Sequence, residues 1–183
     1  ENRALCYFGL QKINQNPRAG IQLLKTLAGL EDNITVTNLV FGFAPRINAA
    51  GRMGDAKDAV KLMIAKSVDE GEEIANLINQ SNLDRREVDS SITEEVLEEI
   101  FNNEGLKNAK STVLYNENWH KGVIGIVASR SIETYYRPTI ILTKSGDKLA
   151  GSARSVSGFD VYNAIENCSE HLEQFGGHKY AAG

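Results

Sequence analysis

EEIANLINQSNLDRREVDSSITEEVLEEIFNNE, residues Glu72–Glu104, contains neither glycine nor proline. As one helix it would be roughly 50 Å long. Its apolar residues thin out between Gln80 and Asp89 and return from Ile92 onward. A helix that is apolar at both ends and polar between them is suited to joining two domains. We therefore predict one connecting helix; the alternative is two helices broken near Ser81-Asn82.

The residues before this stretch have the pattern of short helices joined by loops. Proline is tolerated at the start of a helix and glycine commonly follows its end, so Pro17 and Gly29 bound one of them. Pro45–Met53 is predicted to be a loop. The predicted helices are Asn2–Asn14, Arg18–Leu27, a third that is capped by Thr35 or Thr37 and ends at Phe43, and Ala56–Ala65 behind an Asp55 cap.

After Gly105 the pattern changes to alternating strands and helices, which indicates a small α/β domain. The overall prediction is an α/β protein with a helical N-terminal segment (1–68), a long connecting helix (69–104) and a small α/β domain with a mixed sheet (105–183). The predicted strands are Thr112–Tyr115, Thr139–Leu142 and Lys148–Ala153, and the predicted helices are Val123–Tyr135 and one from Phe159-Asp160 to about Cys168.

The formal net charge is −4, from 20 basic and 24 acidic residues. Residues 69–104 hold 12 acidic residues and two basic ones, Arg85 and Arg86, which gives −10. The remainder therefore holds 18 basic and 12 acidic residues, which gives +6. We predict a solvated acidic helix and a mildly basic remainder that is suited to a polyanionic partner.

The bulk composition is that of a globular protein, with a hydrophobic share of 42%. No apolar run approaches the ~20 residues of a membrane span. Cys6 and Cys168 are predicted to be buried thiols of a reducing compartment, which makes the cytoplasm the expected location. The chain begins at Glu1 without methionine and stops abruptly at Gly183, so a fragment is expected.

The segment Pro45–Met53 brings Arg46, Asn48 and Arg52 close together, with small residues between them. Two guanidinium groups and an amide can grip a phosphodiester. The alternative interpretation is a connection between helices in which the arginines pair with the acidic helix.

The segment Trp119–Arg130 joins a polar, aromatic loop to a helix with two glycines in its first turns. Unpaired backbone amides at a helix N-terminus favour anions. Trp119 is either a base-stacking residue or a core residue, and His120 could donate to a phosphate. Gly125 is expected to serve close packing of helix against sheet. Ile124, Val127 and Ala128 are expected in the core.

Two further segments have the composition of anion sites. Ser152-Ala153-Arg154-Ser155 ends a predicted strand with hydroxyls and a guanidinium. Gly176-Gly177 could present consecutive backbone amides to an anion, beside His178 and ahead of a helix start built from small residues.

The sequence also lacks several catalytic patterns. It contains no Asp-x-Asp, no His-x-x-x-His, no cysteine pair for zinc, no phosphate-binding Walker loop and no Gly-x-Ser-x-Gly. Its three histidines are His120, His171 and His178, and His171 is expected at the surface. No carboxylate cluster for two-metal phosphodiester hydrolysis is recognisable.

These motifs, in this order, resemble the RecJ exonuclease family of the DHH phosphoesterase superfamily. The similarity runs the length of the chain, and Arg-x-Asn-Ala-x-Gly-Arg and Gly-Gly-His-x-x-Ala-Ala-Gly are its most specific elements. The last element alone would indicate only a DHH-associated domain. The matching segments are Glu1–Arg3 with the following helix, Pro45–Arg52, Trp119–Arg130, Ser152–Ser155 and Gly177–Gly183.

The resemblance implies a 5′-to-3′ exonuclease for single-stranded DNA that acts in recombination and repair. It implies that residues 1–68 end the DHH catalytic domain and that residues 105–183 are a truncated DHH-associated domain. Mn²⁺ or Mg²⁺ would be held by Asp and His ligands outside this chain. The residues expected to hold the strand or its phosphates, on the motif match and the reasoning above, are Arg46, Asn48, Arg52, Trp119, His120, Ser152, Arg154, Ser155, Gly176, Gly177 and His178, the last near the scissile bond.

Single-stranded DNA is the expected partner, with single-strand-binding protein and a repair helicase as possible protein partners, no membrane, and a monomeric state. Two other functions stay open on the sequence. One is an oligonucleotide or cyclic-dinucleotide phosphodiesterase of the same superfamily, and the other is a non-catalytic nucleic-acid-binding module.

Overall fold

A computed structural model describes the chain from Glu1 to Gly183. The residues form two compact units, Glu1–Arg85 and Arg86–Gly183. A single helix, α6 (Val68–Asn102), contributes residues to both. It has no break at Ser81-Asn82, so the prediction of one long helix is correct. The α/β class is also confirmed, because the second unit contains a five-stranded mixed sheet.

The first unit is helical. Its core is formed by buried residues such as Leu24, Phe43 and Leu62. Asp55 caps α5 as predicted, since its carboxylate accepts a hydrogen bond from the Lys57 amide at 2.9 Å. The elements before α6 are α1 (Asn2–Gln15), α2 (Ala19–Leu27), α3 (Val36–Asn38), a π-helical turn (Leu39–Phe43), α4 (Ala44–Met53) and α5 (Ala56–Ile64).

The predicted loop Pro45–Met53 is wrong, because these residues form α4. Pro45 lies at the start of α4, directly after the π-helical turn, where the backbone changes its hydrogen-bonding pattern. The chain is helical without interruption from Val36, where Thr35 caps α3 through a reciprocal capping box with Asn38. The π-helical turn lets α3 continue into α4.

The second unit contains the sheet, whose strand order is β1-β2-β3-β5-β4. Strands β1 and β2 are parallel and the other neighbours are antiparallel. Helix α8 packs on β2 and β3. Val161 of α9 packs with Ala153 and Ala182. The elements after α6 are α7 (Glu104–Lys107), β1 (Thr112–Tyr115), α8 (Ile124–Thr134), β2 (Thr139–Ser145), β3 (Lys148–Arg154), α9 (Val161–Glu166), a 3₁₀ turn (Ser169–His171), β4 (Gly177–His178) and β5 (Ala181–Ala182).

Two further expectations need correction. The small residues after Gly176 do not start a helix; they form the antiparallel hairpin of β4 and β5. Cys6 and Cys168 are both exposed, not buried. Every helix of the chain is too short or too polar to cross a membrane.

Candidate nucleic-acid interface

Ser152 and Arg154 lie on one face of the sheet, because residues two apart on a strand point the same way. Arg154 Nη1 donates to Ser152 Oγ at 3.1 Å and to the Ala153 carbonyl at 2.8 Å. Gly125, in the first turn of α8, packs against this pair. A Cβ at Gly125 would lie 2.8 Å from both Arg154 Nη2 and Ser152 Oγ. The expectation that Gly125 serves close helix–sheet packing is therefore confirmed.

Arg154 and His178 lie in the same row of the sheet. Arg154 is opposite Ala181 on β5, and Ala181 is opposite His178 on β4. Directly opposed residues point to the same face. Two strand spacings place the backbones of Arg154 and His178 roughly 10 Å apart. The sheet thus presents a guanidinium and an imidazole on one face, with the first turn of α8 beside the guanidinium.

His120 and His178 share one local arrangement, although they belong to different elements. The Gly122 amide donates to Nδ1 of His120 at 3.1 Å, and the Tyr180 amide donates to Nδ1 of His178 at 3.2 Å. An Nδ1 that accepts a hydrogen bond leaves Nε2 to carry the proton of the neutral ring. Both imidazoles are exposed, so each can present an Nε2–H donor to an anion.

Ser155 and Gly176 have internal hydrogen-bond partners. The Ser155 hydroxyl donates to the Phe159 carbonyl at 2.9 Å, closing the turn after β3. The Gly176 amide donates to the Gly183 carbonyl at 2.8 Å, and the Gly183 amide donates back at 2.9 Å. Gly176 is thus paired in the hairpin, which does not fit the expectation that it joins Gly177 in binding an anion.

Trp119 is a core residue. Its side chain is only 4% exposed, and its indole N–H donates to Glu95 Oε2 at 2.9 Å. Its carbonyl accepts a hydrogen bond from Thr143 Oγ1 at 2.6 Å. A ring in this position offers no face to a base, so the base-stacking interpretation does not fit the structure and the core interpretation does.

Arg46 is tied into the first unit by all three guanidinium nitrogens. Nε donates to Asn79 Oδ1 at 3.0 Å, Nη1 to the Gly42 carbonyl at 2.7 Å and Nη2 to the Leu27 carbonyl at 2.7 Å. It therefore joins the end of α2, the π-helical turn and α6. The alternative interpretation, in which the arginines pair with the acidic helix, corresponds to the contact with Asn79, whose acceptor is an amide; the other two acceptors are backbone carbonyls.

Asn48 and Arg52 are four residues apart on α4, so they share one face of that helix. Both are exposed, whereas Arg46 is half-buried. Helix α4 thus separates Arg46 from the other two members of the motif. This separation follows from the helical backbone; an irregular loop would not have required it.

The long helix contributes interactions that the sequence reasoning missed. Asp89 was expected to be solvated, but its side chain is fully buried and lies 2.7 Å from Arg130 Nη1 on α8. Glu95 is the partner of the Trp119 indole. Asp89 lies three residues before Ile92 and seven before Val96, and this helical spacing could have placed it on the buried face.

Lysines also lie beside β3. A groove of about 490 Å³ has Lys121 and Lys148 in its walls, together with Gly176. Lys121 Nζ donates to Ser145 Oγ at 3.2 Å, and Lys148 contacts Glu173. Neither lysine is among the residues predicted from the sequence: Lys121 lies within the Trp119–Arg130 segment but is not itself a predicted contact, and Lys148 follows the turn before β3.

No group of three or more His, Cys, Asp or Glu side chains is placed to hold a metal ion. The residues present do not fit a divalent-metal centre, and no chemical step through a metal is derived from them. The chemistry available here is the recognition of anions by a guanidinium, imidazole N–H groups and backbone amides.

Residues 108–183 match the DHHA1 domain family. The whole chain is similar to single-stranded-DNA-specific exonucleases RecJ, with 36% identity to that of Bacillus subtilis over 186 residues and 33% to that of Escherichia coli over 194 residues. It covers 23% and 33% of these two relatives, so it spans no more than a third of their length.

The chain is also similar in structure to RecJ proteins. The chain superposes with a TM-score of 0.86 and 30% identity on RecJ of Thermus thermophilus in complex with Mn²⁺, over 99% of this chain and 26% of that one. The same protein in complex with Mg²⁺ also gives 0.86, with 28% of that chain covered. The resemblance to the RecJ exonucleases is therefore confirmed over the whole chain, and residues 108–183 are similar to the DHHA1 domain family.

Proposed function

We propose that the chain is the strand-binding part of a metal-dependent, single-strand-specific DNA exonuclease, which degrades DNA from the 5′ end in recombination and repair. Its similarity to RecJ proteins over the whole chain supports this proposal. Residues 1–68 are assigned to the end of the DHH catalytic domain, residues 69–104 to the connecting helix and residues 105–183 to the DHH-associated domain. Mn²⁺ or Mg²⁺ would be held by residues outside these 183.

The observation that carries the proposal is the row in which Arg154 and His178 share one sheet face, beside the first turn of α8. A single strand carries a negative charge at each phosphate, and most protein–DNA hydrogen bonds go to phosphate and sugar oxygens. Arg154 and His178, two strands apart, can each meet a separate phosphate. No base-reading side chain is required, which suits an enzyme that digests strands of any sequence.

Eight of the eleven candidate residues are proposed as contacts or supports in the second unit, two are proposed as a separate contact set in the first unit, and Arg46 is proposed only as a tie within the first unit. Ser152, Arg154 and His178 are proposed as phosphate contacts, and so are the backbone of Gly177 and, in the loop before α8, His120. Asn48 and Arg52 are a second proposed contact set. Trp119, Ser155 and Gly176 are proposed to support the contacts around them, because their own polar groups have internal partners.

The partners proposed beyond DNA rest on the resemblance alone. They are a single-strand-binding protein and a repair helicase, with the protein acting as a monomer in the cytoplasm. The proposed DNA partner has a second support in the charge distribution, since residues outside 69–104 carry a net +6.

Binding of the 183-residue chain to a 5′-phosphorylated, fluorescent single strand tests the proposal. Fluorescence anisotropy should give a dissociation constant in the range of about 10⁻⁴–10⁻⁶ M, because few phosphates are neutralised. A duplex of the same length is the control and should bind more weakly. The absence of saturable binding, or equal affinity for the duplex, would overturn the proposal.

Incubation with Mn²⁺ and a labelled single strand tests the assignment of the metal ligands to residues outside this chain. No cleavage is expected, since a metal-activated water needs ligands that these residues do not supply. Turnover that survives repurification of the protein would show that the assignment is wrong.

A further inference from the structure

The acidic helix α6 contacts the Trp119–His120 loop through one side chain. Glu95 Oε2 accepts the indole N–H of Trp119 at 2.9 Å. Glu95 is exposed as a residue, but this hydrogen bond is partly buried because the indole is 4% exposed. The chain has one tryptophan, so this is the only indole that any of its carboxylates can hold.

Trp119 is fixed at its backbone as well as at its ring. Its amide donates to the Asn116 carbonyl at 3.3 Å, and its carbonyl accepts from Thr143 Oγ1 of β2 at 2.6 Å. The two backbone hydrogen bonds and the hydrogen bond from the ring to Glu95 together set the path of the loop at Trp119.

His120 follows directly and is held only by local contacts. Its Nδ1 accepts from the Gly122 amide at 3.1 Å, and its carbonyl accepts from the Val123 amide at 3.0 Å. These contacts lie within three residues along the chain. The orientation of the exposed Nε2–H therefore depends on where the Trp119 backbone lies, and the Trp119 backbone follows its ring.

We propose that Glu95 is a positioning residue for His120: through the Trp119 indole it fixes the loop that aims the His120 Nε2–H at a phosphate of the strand. This inference rests on the proposed function, and it gives the acidic helix a role in DNA binding. A carboxylate near a strand-binding loop repels DNA. Glu95 therefore improves binding only if the orientation that it imposes outweighs the repulsion that it adds.

The orienting effect of Glu95 should raise affinity for the strand, and its negative charge should lower it. Three variants separate these two effects. Glu95→Ala removes both the charge and the acceptor, and affinity for the 5′-phosphorylated strand should fall about threefold to tenfold, as expected for one hydrogen bond. Glu95→Gln removes the charge but keeps an acceptor oxygen, so affinity should stay the same or rise. Glu94→Ala removes a neighbouring exposed charge of the same helix and should also leave affinity unchanged or raised.

A double-mutant cycle identifies the residue through which Glu95 acts. If Glu95 works by orienting His120, Glu95→Ala should have almost no further effect on affinity in a His120→Ala protein. It should keep its full effect in an Arg154→Ala protein. Full additivity with His120→Ala would overturn the proposal, and so would a rise in affinity for Glu95→Ala that matches Glu94→Ala.

Imidazole NMR tests the geometry without DNA, with His178 as the internal control. In the native chain both rings should show the Nε2–H tautomer, because each Nδ1 accepts a backbone amide. Glu95→Ala should shift or broaden the His120 resonances and leave those of His178 unchanged. Unchanged His120 resonances would overturn the inference. If the native chain does not bind the strand, the proposed function fails, and the spectra still decide whether Glu95 orients His120.

Discussion

The two arginine-containing motifs of the molecule, one on α4 and one on β3, look equivalent in the sequence and differ in the structure. Arg46 uses every guanidinium nitrogen on groups of its own unit, two of them backbone carbonyls. Arg154 lies on a sheet face beside a serine hydroxyl and the first turn of α8. Similar arginine motifs thus have different surroundings: Arg46 is bonded to other segments of its unit, whereas Arg154 donates to Ser152 and Ala153 of its own strand.

Substitution of Arg46 is the most direct test of the difference between the two arginines. Arg46→Ala should lower the free energy of unfolding by about 2 kcal/mol, because the Leu27 and Gly42 carbonyls and the Asn79 amide lose their donor. Arg46→Lys should recover only part of this loss, since an ammonium cannot reach three acceptors in the same plane. Urea unfolding followed by circular dichroism measures both variants.

Arg52→Ala is the matched control for this stability effect. It lies on the same helix and is exposed, so its effect on unfolding should stay within about 0.5 kcal/mol. Equal stabilities for the two variants would mean that Arg46 is not a structural tie and that the two motifs are equivalent after all.

Substitution of Arg154, unlike that of Arg46, is expected to affect DNA binding more than stability. Arg154→Ala should weaken binding of a 5′-phosphorylated strand about tenfold, since hydrogen bonds to charged groups contribute about 1.5–3 kcal/mol, part of which water recovers. The slope of log affinity against log salt should flatten by roughly 0.7, the value for one phosphate contact on a single strand. Anisotropy titrations across a salt series measure both quantities.

Arg86→Ala is the control for Arg154→Ala, because Arg86 is exposed on α6 among acidic neighbours. It should change neither the affinity nor the slope. If the two variants have equal effects, bulk charge holds the strand and the sheet face is not a binding site.

The predicted secondary structure is correct where neighbouring residues determine it, through a helix cap, a strand pattern or a stretch without glycine and proline. Strand β1 has the predicted bounds Thr112–Tyr115, and the Asp55 cap and the unbroken α6 were also recognised. The predicted loop Pro45–Met53 is a helix, because α4 continues from the π-helical turn before it. The small residues from Ala181 to Gly183 were taken as a helix start, and pairing with β3 and β4 overrides that preference.

The site was predicted less completely, for a physical reason. Sequence spacing shows which residue types occur together, but hydrogen-bond partners are set by distant segments. Glu95 and Trp119 are 24 residues apart, and Arg46 and Asn79 are 33 apart. Nothing at either end of these pairs indicates the other. The sequence therefore leaves an internal and a ligand-binding role open for both Trp119 and Arg46, and only the fold supplies their partners.

A substitution at Gly125 tests whether the position of the Arg154 side chain matters for binding, without replacing the arginine itself. Gly125→Ala places a methyl group 2.8 Å from Arg154 Nη2 and Ser152 Oγ. Nη2 ends a flexible side chain, but Ser152 Oγ belongs to a short one, so both side chains must shift and overpacking should cost about 1–3 kcal/mol. Alanine favours the helix over glycine and offsets up to about 1 kcal/mol of this cost. Affinity for the strand should fall about fivefold, while the free energy of unfolding falls by about 2 kcal/mol or less.

Ser129→Ala, one turn further along α8 and exposed, controls for a general effect of alanine in this helix. It should leave affinity unchanged. A Gly125→Ala protein that binds as tightly as the native chain would show that the position of Arg154 against α8 is unimportant for binding.

The smallest expected effect decides whether α4 takes part in binding at all. Asn48 and Arg52 are the exposed members of its motif, and Arg52→Ala should weaken binding about threefold. Its salt slope should flatten by roughly 0.7, as for any single phosphate contact.

If one strand engages both motifs, the Arg52→Ala/Arg154→Ala double variant should flatten the slope by about twice that amount on a long oligonucleotide. On an oligonucleotide too short to contact both arginines, the double variant should flatten the salt slope only as much as the single variant with the larger effect does. A double variant that behaves like Arg154→Ala at every length would leave β3 as the binding motif and α4 as structural throughout, which would extend the internal role of Arg46 to its whole motif.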